Sequence, residues 1–328
     1  MAEQQKQEFT TALSNWTNTF TDLVTRDFAK NDVEFGEYSR KCAINAVSSI
    51  YQLVTSSGVG MNEIDTTNLQ QIVKDCASLK LNANSFPKEC YFQLRKKKVG
   101  NNYVQTIEMG LEGAGYESML RNFGVNVDTV YDFWRVKEGD TFIYPKHKGL
   151  EMTPPEWEEK GLSQKTIRVV LPVKLKDGTV TYLISERESV KINLFAHIRN
   201  NLMNETFGIC ESRYKATDAQ KKQIEAKKEE IYSALRKCET LEDMVKCEIA
   251  LPYISGAWLD TFESMVVRKM QNNAVRSFPK NFDTMAKTSF IEMDDAYKAS
   301  QEEIEENENS IPFDEADIID STATEVTE

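Results

Sequence analysis

The sequence predicts an α+β protein: a small twisted antiparallel sheet with a β-hairpin, backed by helices, plus an N-terminal helical lobe and a disordered acidic tail. Three observations carry this expectation. Apolar residues recur every three or four positions before residue 80 and again after residue 190. Between Pro87 and Val190 the pattern changes to short strand-like runs, and Asp177-Gly178 supplies a strong hairpin signal. From Ile291 to Glu328 there are 14 acidic residues and one Lys, with too few apolar groups to offset the entropy of ordering. The expected units are a helical lobe (1–85), a hairpin and sheet (86–190), a helical part of the core (191–290) and the tail (291–328).

In the lobe, Phe9, Leu13, Trp16, Phe20 and Leu23 mark one face of a helix over 5–30. A second helix is expected over Phe35–Thr55 and a third over Thr66–Ser78, with Leu69, Ile72, Val73 and Cys76 facing the core. A hairpin follows. An apolar-aromatic segment reaches Tyr91 and Phe92, then come four consecutive cations, Arg95, Lys96, Lys97 and Lys98, and a Gly-Asn-Asn turn. The return run, Tyr103 to Met109, ends in the turn Gly110-Leu111-Glu112-Gly113 and a helix over Gly115–Phe123. Further strands are expected over Thr129–Val136, Asp140–Tyr144, Thr166–Leu175 and Thr179–Ser185, while Pro145–Ser163, with its Pro154-Pro155 pair, reads as a surface loop. Helices resume at Lys191–Met203, with Ile192, Phe195, Ile198 and Leu202 on one face. Thr217 to Gln220 has capping-box spacing and opens a solvated, ion-pair-laced helix to about Cys238. One last helix is expected over Ala257–Val275, its Leu259, Phe262, Val266 and Met270 stripe in the core.

Composition excludes several classes. No apolar run approaches the ~18 residues needed to span a bilayer, and no signal segment opens the chain, so a soluble cytoplasmic protein without membrane contact is expected. The net charge is −12, but removing the tail leaves 38 acidic and 39 basic residues in 1–290. A neutral body can still carry a basic stripe, because binding answers to local charge. Six scattered cysteines without C-x-x-C pairing, and only His147 and His197, argue against a metal site. There is no G-x-x-x-x-G-K-[ST] loop for a nucleotide. Glu158-Glu159-Lys160 and Glu225-Ala226-Lys227 resemble nuclease triplets only loosely, and no nucleophile pairs with either histidine. The expectation is a binding protein, not an enzyme, and without a cofactor.

Cations beside aromatics on paired strands suit single-stranded nucleic acid, since cations meet phosphates and rings stack on unpaired bases. The candidates are Arg95, Lys96, Lys97 and Lys98 on the hairpin, then Arg121, Lys165 and Arg168. On the last helix Lys269, Asn272, Asn273 and Arg276 share one face by their i, i+3, i+4, i+7 spacing. Any one of these lysines, alone, reads as a solvated surface charge; as a group they read as phosphate contacts. Tyr91 and Tyr103 are base-stacking candidates, although half-buried strand tyrosines are commoner. The hairpin tip could instead pack on a neighbouring subunit.

The order of motifs resembles the RecT family of phage single-strand annealing recombinases over about residues 65–280. The resemblance lies in Leu79-Lys80-Leu81-Asn82-Ala83-Asn84 followed by Tyr91, in Gly110-Leu111-Glu112-Gly113, and in Val136-Lys137-Glu138-Gly139-Asp140-Thr141-Phe142. Lys176-Asp177-Gly178 and the segment from Trp258 through Arg268-Lys269 complete it. Leu111 and Glu112 replace the family's aromatic and Lys, and the charged segment 213–245 is longer. The resemblance implies ATP-independent annealing of complementary DNA strands in a bacterial host cell, on a ring or helical oligomer that also holds the annealed duplex. It adds Gly110, Gly113 and Arg268 to the DNA-binding candidates. It further implies a partner exonuclease that exposes the strand. Ile311-Pro312-Phe313 among acids is similar to the acidic tip of bacterial single-strand-binding proteins, a possible further partner. The competing expectations are a phage assembly oligomer without a DNA role and an RNA-binding protein.

Overall fold

Three N-terminal helices, α1 (Ala12–Lys30), α2 (Glu37–Ser56) and α3 (Thr66–Ser78), pack through Phe20, Val24 and Phe28, Val47 and Ile50, and Leu69 and Val73. The computed structural model describes residues 12–290 except 100–101, 150, 162 and 213–214, with Met61, 96–99, 102 and 103 described by backbone alone. Asp65 caps α3 by accepting the Thr67 and Asn68 N–H groups at 2.9 and 3.1 Å, so the helix starts where a short polar acceptor precedes the apolar stripe.

The hairpin strands β1 (Cys90–Val99) and β2 (Asn102–Leu111) pair from Cys90↔Leu111 to Val99↔Asn102. Period-two alternation turns Phe92, Leu94 and Ile107 toward the lobe, and Ile107 is buried in its core. The Asn68 side chain brackets Ile107, donating to its carbonyl at 3.1 Å and accepting its N–H at 2.6 Å. This amide satisfies ladder groups of β2 that no further strand pairs. The lobe and hairpin therefore share one core.

After α4 (Gly113–Phe123) comes a four-stranded antiparallel sheet. Its central strand β9 (Thr166–Leu175) pairs with β10 (Val180–Glu186) on one edge, and with β3 (Val127–Val130) and β4 (Trp134–Lys137) in succession on the other. The expected continuous run 129–136 is thus two strands, interrupted at 131–133. The expected surface loop 145–163 also holds structure: β5 (Thr141–Ile143) pairs with β8 (Glu156–Glu158), and β6 (His147–Lys148) with β7 (Glu151–Met152). The cause is Asp140, whose carboxylate accepts from Lys137 N at 2.8 Å, Lys160 N at 2.9 Å and Trp157 Nε1 at 3.0 Å, while Trp157 stacks on Trp134.

The C-terminal helices are α5 (Val190–Leu202), α6 (Asp218–Arg236), α7 (Leu241–Val245), α8 (Gly256–Asp260) and α9 (Phe262–Arg276). The single helix expected over 257–275 breaks at Thr261 (φ −128°, ψ 43°), which swings Leu259 to 41 % exposure instead of the core. Ile192 is likewise exposed. The Thr217–Gln220 capping box forms as expected. Yet α6 is not solvated all round: Ile224, Ile231 and Leu235 are buried with Lys228, whose Nζ donates to Met203 O at 3.2 Å. Leu120, Leu171, Val173 and Val275 join α4, the sheet and α9 in one cluster. The fold is α+β, as expected. The acidic segment 291–328 lies outside the described residues.

Candidate nucleic-acid interface

Helix α9 is a wall with two faces. At 3.6 residues per turn Lys269, Asn272, Asn273 and Arg276 point one way, while Ser264, Val267, Arg268 and Gln271 point the other. On β1 the alternation that buries Phe92 and Leu94 turns Tyr91 and Arg95 to the opposite side. Their cross-strand partners Gly110 and Thr106 share that side. Between them lies a cleft of ≈ 640 Å³, lined by Tyr91, Arg95, Gly110, Lys269, Asn272 and Arg276, with Asn193 and Asn200 added by α5. Seven sequence-derived candidates, these six and Asn273, meet here from positions as far apart as Tyr91 and Arg276. Cations outnumber carboxylates around it, since only Asp75 and Glu108 oppose Arg95, Lys269 and Arg276.

Arg95 pairs with Glu108 (Nε–Oε2 2.6 Å) and donates to Gln93 at 2.9 Å. Both partners of that pair are well exposed, so the ion pair contributes at most about 1 kcal/mol and can be exchanged for a phosphate. Tyr91 is 36 % exposed, and its ring lies across Gly110: a Cβ there would sit 2.2 Å from the ring carbon bearing the hydroxyl. Gly110 is therefore the seat of Tyr91, and its place in the strand ladder makes it a packing residue. Gly113, the first residue of α4, faces α9 with ordinary 3.5 Å clearance to Asn272 and Gln271.

Lys269 has no hydrogen bond or ion pair among the described residues. Burial pushes its pKa down to about 8; Arg268 and Arg276 act in the same direction and Glu112 opposes them. Beside it the Asn272 Oδ1 is buried without a partner among the described residues. A desolvated cation and an orphaned acceptor cost free energy, and a ligand presenting anionic oxygens and donors would recover it. Asn273 holds the α5 side by donating to Asn193 Oδ1 at 2.8 Å. His197 accepts the Ser255 N–H at 3.1 Å, and burial followed by the charge of Lys269 holds its pKa down, so it is a neutral structural acceptor.

The other face of α9 borders a larger hollow of ≈ 1190 Å³, where Gly113, Arg121 and Arg268 fall. Arg268 is tied to Glu112 at 2.6 Å and Arg121 to Glu117 at 3.2 Å. Burial raises the pKa of Glu89 and of Glu117, and carboxylates outnumber cations around this hollow. It is the poorer host for an anion. Lys165 and Arg168 line neither space. Lys165 pairs with Glu242 at 3.3 Å. Arg168 pairs with Glu186 at 2.6 Å, donates to the Tyr144 hydroxyl, and lies 4.5 and 4.4 Å from the Phe142 and Tyr144 ring centres. Its side chain is 12 % exposed and committed to packing. The side chains of Lys96, Lys97, Lys98 and Tyr103 lie outside the described residues.

Asn193 and Asn200 were not anticipated, although their i, i+7 spacing on α5 would place them on one face. Among the described residues no group of His, Cys, Asp and Glu could hold a metal, and no helix is long and apolar enough to cross a membrane. The cysteines are free thiols. Comparisons with protein-family models, with curated proteins and with solved structures returned no match to this chain.

Proposed function

We propose that the protein binds single-stranded DNA and anneals complementary strands without a nucleotide, as a self-associating ring or filament of RecT type. The supporting observation is the cleft between the hairpin and α9, where Lys269, with no hydrogen bond or ion pair among the described residues, Arg95, Arg276 and a partly exposed Tyr91 face one space. Cations there meet phosphates, the Tyr91 ring offers a stacking surface, and the asparagines pair with sugar or base edges without demanding one sequence. Annealing requires such sequence-tolerant holding, with base edges left open to a second strand. An exonuclease that exposes the strand is the natural partner, and the bacterial cytoplasm the natural location.

The test is annealing of two complementary dye-labelled oligonucleotides without nucleotide or metal, followed by sizing of the products. Protein-dependent acceleration that Lys269→Glu suppresses supports the reading. Folded protein that neither binds nor anneals DNA at low salt overturns it and favours an assembly component, and preference for RNA strands would move the ligand class.

A further inference from the structure

We propose that the acidic segment 291–328 docks back into the cleft between the hairpin and α9 of its own chain, where it competes with single-stranded nucleic acid. The competition presupposes the strand binding proposed above; the docking does not.

The exit point of the segment carries the inference. Phe290, the last described residue, itself lines the cleft. The chain is pinned up to that point: Ser289 Oγ donates to the buried Asp75 Oδ1 at 2.5 Å, and the Phe290 ring packs 4.8 Å from that of Phe282. The segment therefore starts at the cleft wall. It carries 14 acidic residues against one Lys, and the space at its exit has a cationic excess and a desolvated Lys269 with no ion pair among the described residues. Glu292, Asp294 and Asp295 follow Phe290 within five residues, no more than about 17 Å of extended chain. A carboxylate offers the same anionic oxygens as a phosphate, so the groups that would hold a strand also hold these side chains. The alternative hollow across α9 is ringed by an excess of carboxylates and repels them.

Tethering makes weak contacts sufficient. A short covalent tether gives an effective concentration of about 1 mM, so a segment that binds in trans with Kd of about 100 µM would be about tenfold in favour of the docked state in cis. Nucleic acid must displace it, which lowers apparent affinity about tenfold. It also flattens the salt dependence, because breaking the internal ion pairs takes up the ions that phosphate binding releases.

The experiment uses the full-length chain with Glu292→Gln, Asp294→Asn, Asp295→Asn, Glu302→Gln, Glu303→Gln and Glu305→Gln. Anisotropy of a dye-labelled oligothymidylate should show about tenfold tighter binding and a steeper salt slope than wild type. Separately, a dye-labelled peptide of residues 291–328 should bind this neutralised chain in low salt, and Arg95→Glu or Lys269→Met in that background should weaken it severalfold. Unchanged DNA affinity and slope, or peptide binding indifferent to both substitutions, overturns the docking. Peptide binding with no DNA binding by either chain keeps the docking and removes the single-strand reading.

Discussion

Replacing Lys269 by Met should make the protein more stable and a poorer DNA binder. Burial, with Arg268 and Arg276 adding repulsion, lowers the lysine pKa from 10.5 to about 8. At 1.36 kcal/mol per pKa unit this is about 3 kcal/mol against the charged form, and the opening of the cleft to water reduces it to about 1–2 kcal/mol. Methionine keeps most of the stem and removes the charge, so unfolding free energy at pH 7 should rise by about 1–2 kcal/mol. The pH dependence follows from the sign of the shift. As pH rises the folded chain loses this proton near pH 8 while the unfolded chain keeps it to about 10.5. The unfolded state thus binds more protons across that window, and wild-type stability relative to the variant should climb with pH. The difference should be largest below pH 8, shrink through the window and vanish above about pH 10.5. DNA affinity should fall about tenfold at low salt, with the log–log salt slope shallower by about 0.7. Urea denaturation of both proteins at pH 7 and pH 9.5, with strand anisotropy at several salt concentrations, reads all of this. A variant less stable than wild type at pH 7, or a stability difference independent of pH, would refute the account of Lys269.

Three further expectations test the framework around the cleft. Gly115→Ala places a Cβ 2.2 Å from the Glu89 carbonyl oxygen and should cost about 1–3 kcal/mol in urea denaturation, whereas Gly113→Ala, with nothing closer than 3.5 Å, should be neutral or stabilising by up to about 1 kcal/mol. Arg187 is buried and joins Glu242 at 3.0 Å, Glu263 at 2.9 Å and the Thr166 carbonyl at 2.9 Å; Arg187→Ala removes the cation these two carboxylates share, leaves them Lys165 and the Thr166 N–H, and should cost about 3 kcal/mol by the same assay. Arg168→Ala should lower stability by about 1–2 kcal/mol yet leave strand affinity within twofold; a tenfold loss in anisotropy would mean that the DNA path crosses the sheet face.

Much of the fold was legible because it depends on local periodicity. The Thr66–Ser78 helix and the Thr166–Leu175 strand coincide with their expected bounds, and the Thr217 capping box and the Asp177-Gly178 turn form as their chemistry requires. The failures share a different cause. The break at Thr261 leaves no mark in the apolar spacing, which runs smoothly through Leu259 and Phe262. The small strands of 141–158 depend on the Asp140 carboxylate reaching residues up to 20 positions away. Arg187, the charged hub that ties β9 to α7 and α9, has no signature in the sequence, because a lone Arg after a strand resembles any surface Arg. Burial of a charge is a tertiary fact.

The site was legible by the same rule. The helical spacing of Lys269, Asn272, Asn273 and Arg276 and the strand alternation of Tyr91 and Arg95 each specify a face, and the fold turns those two faces toward each other. What spacing could not supply was the partner of each charge. Arg268 is adjacent in sequence to Lys269 but lies across the helix, where Glu112 neutralises it. That pairing leaves two spaces of opposite character on either side of α9. One collects carboxylates and their paired arginines, and the other holds Lys269, which has no ion pair among the described residues. A body of residues 1–290 carrying a net charge of only +1 can therefore present a cation-rich cleft, because charge is sorted by helix face and not by chain segment. Glu112→Lys would free Arg268 and place a second cation at the N-terminus of α4. If strand affinity then rises, the binding path wraps α9; if it does not, the strand keeps to the hairpin side of the helix.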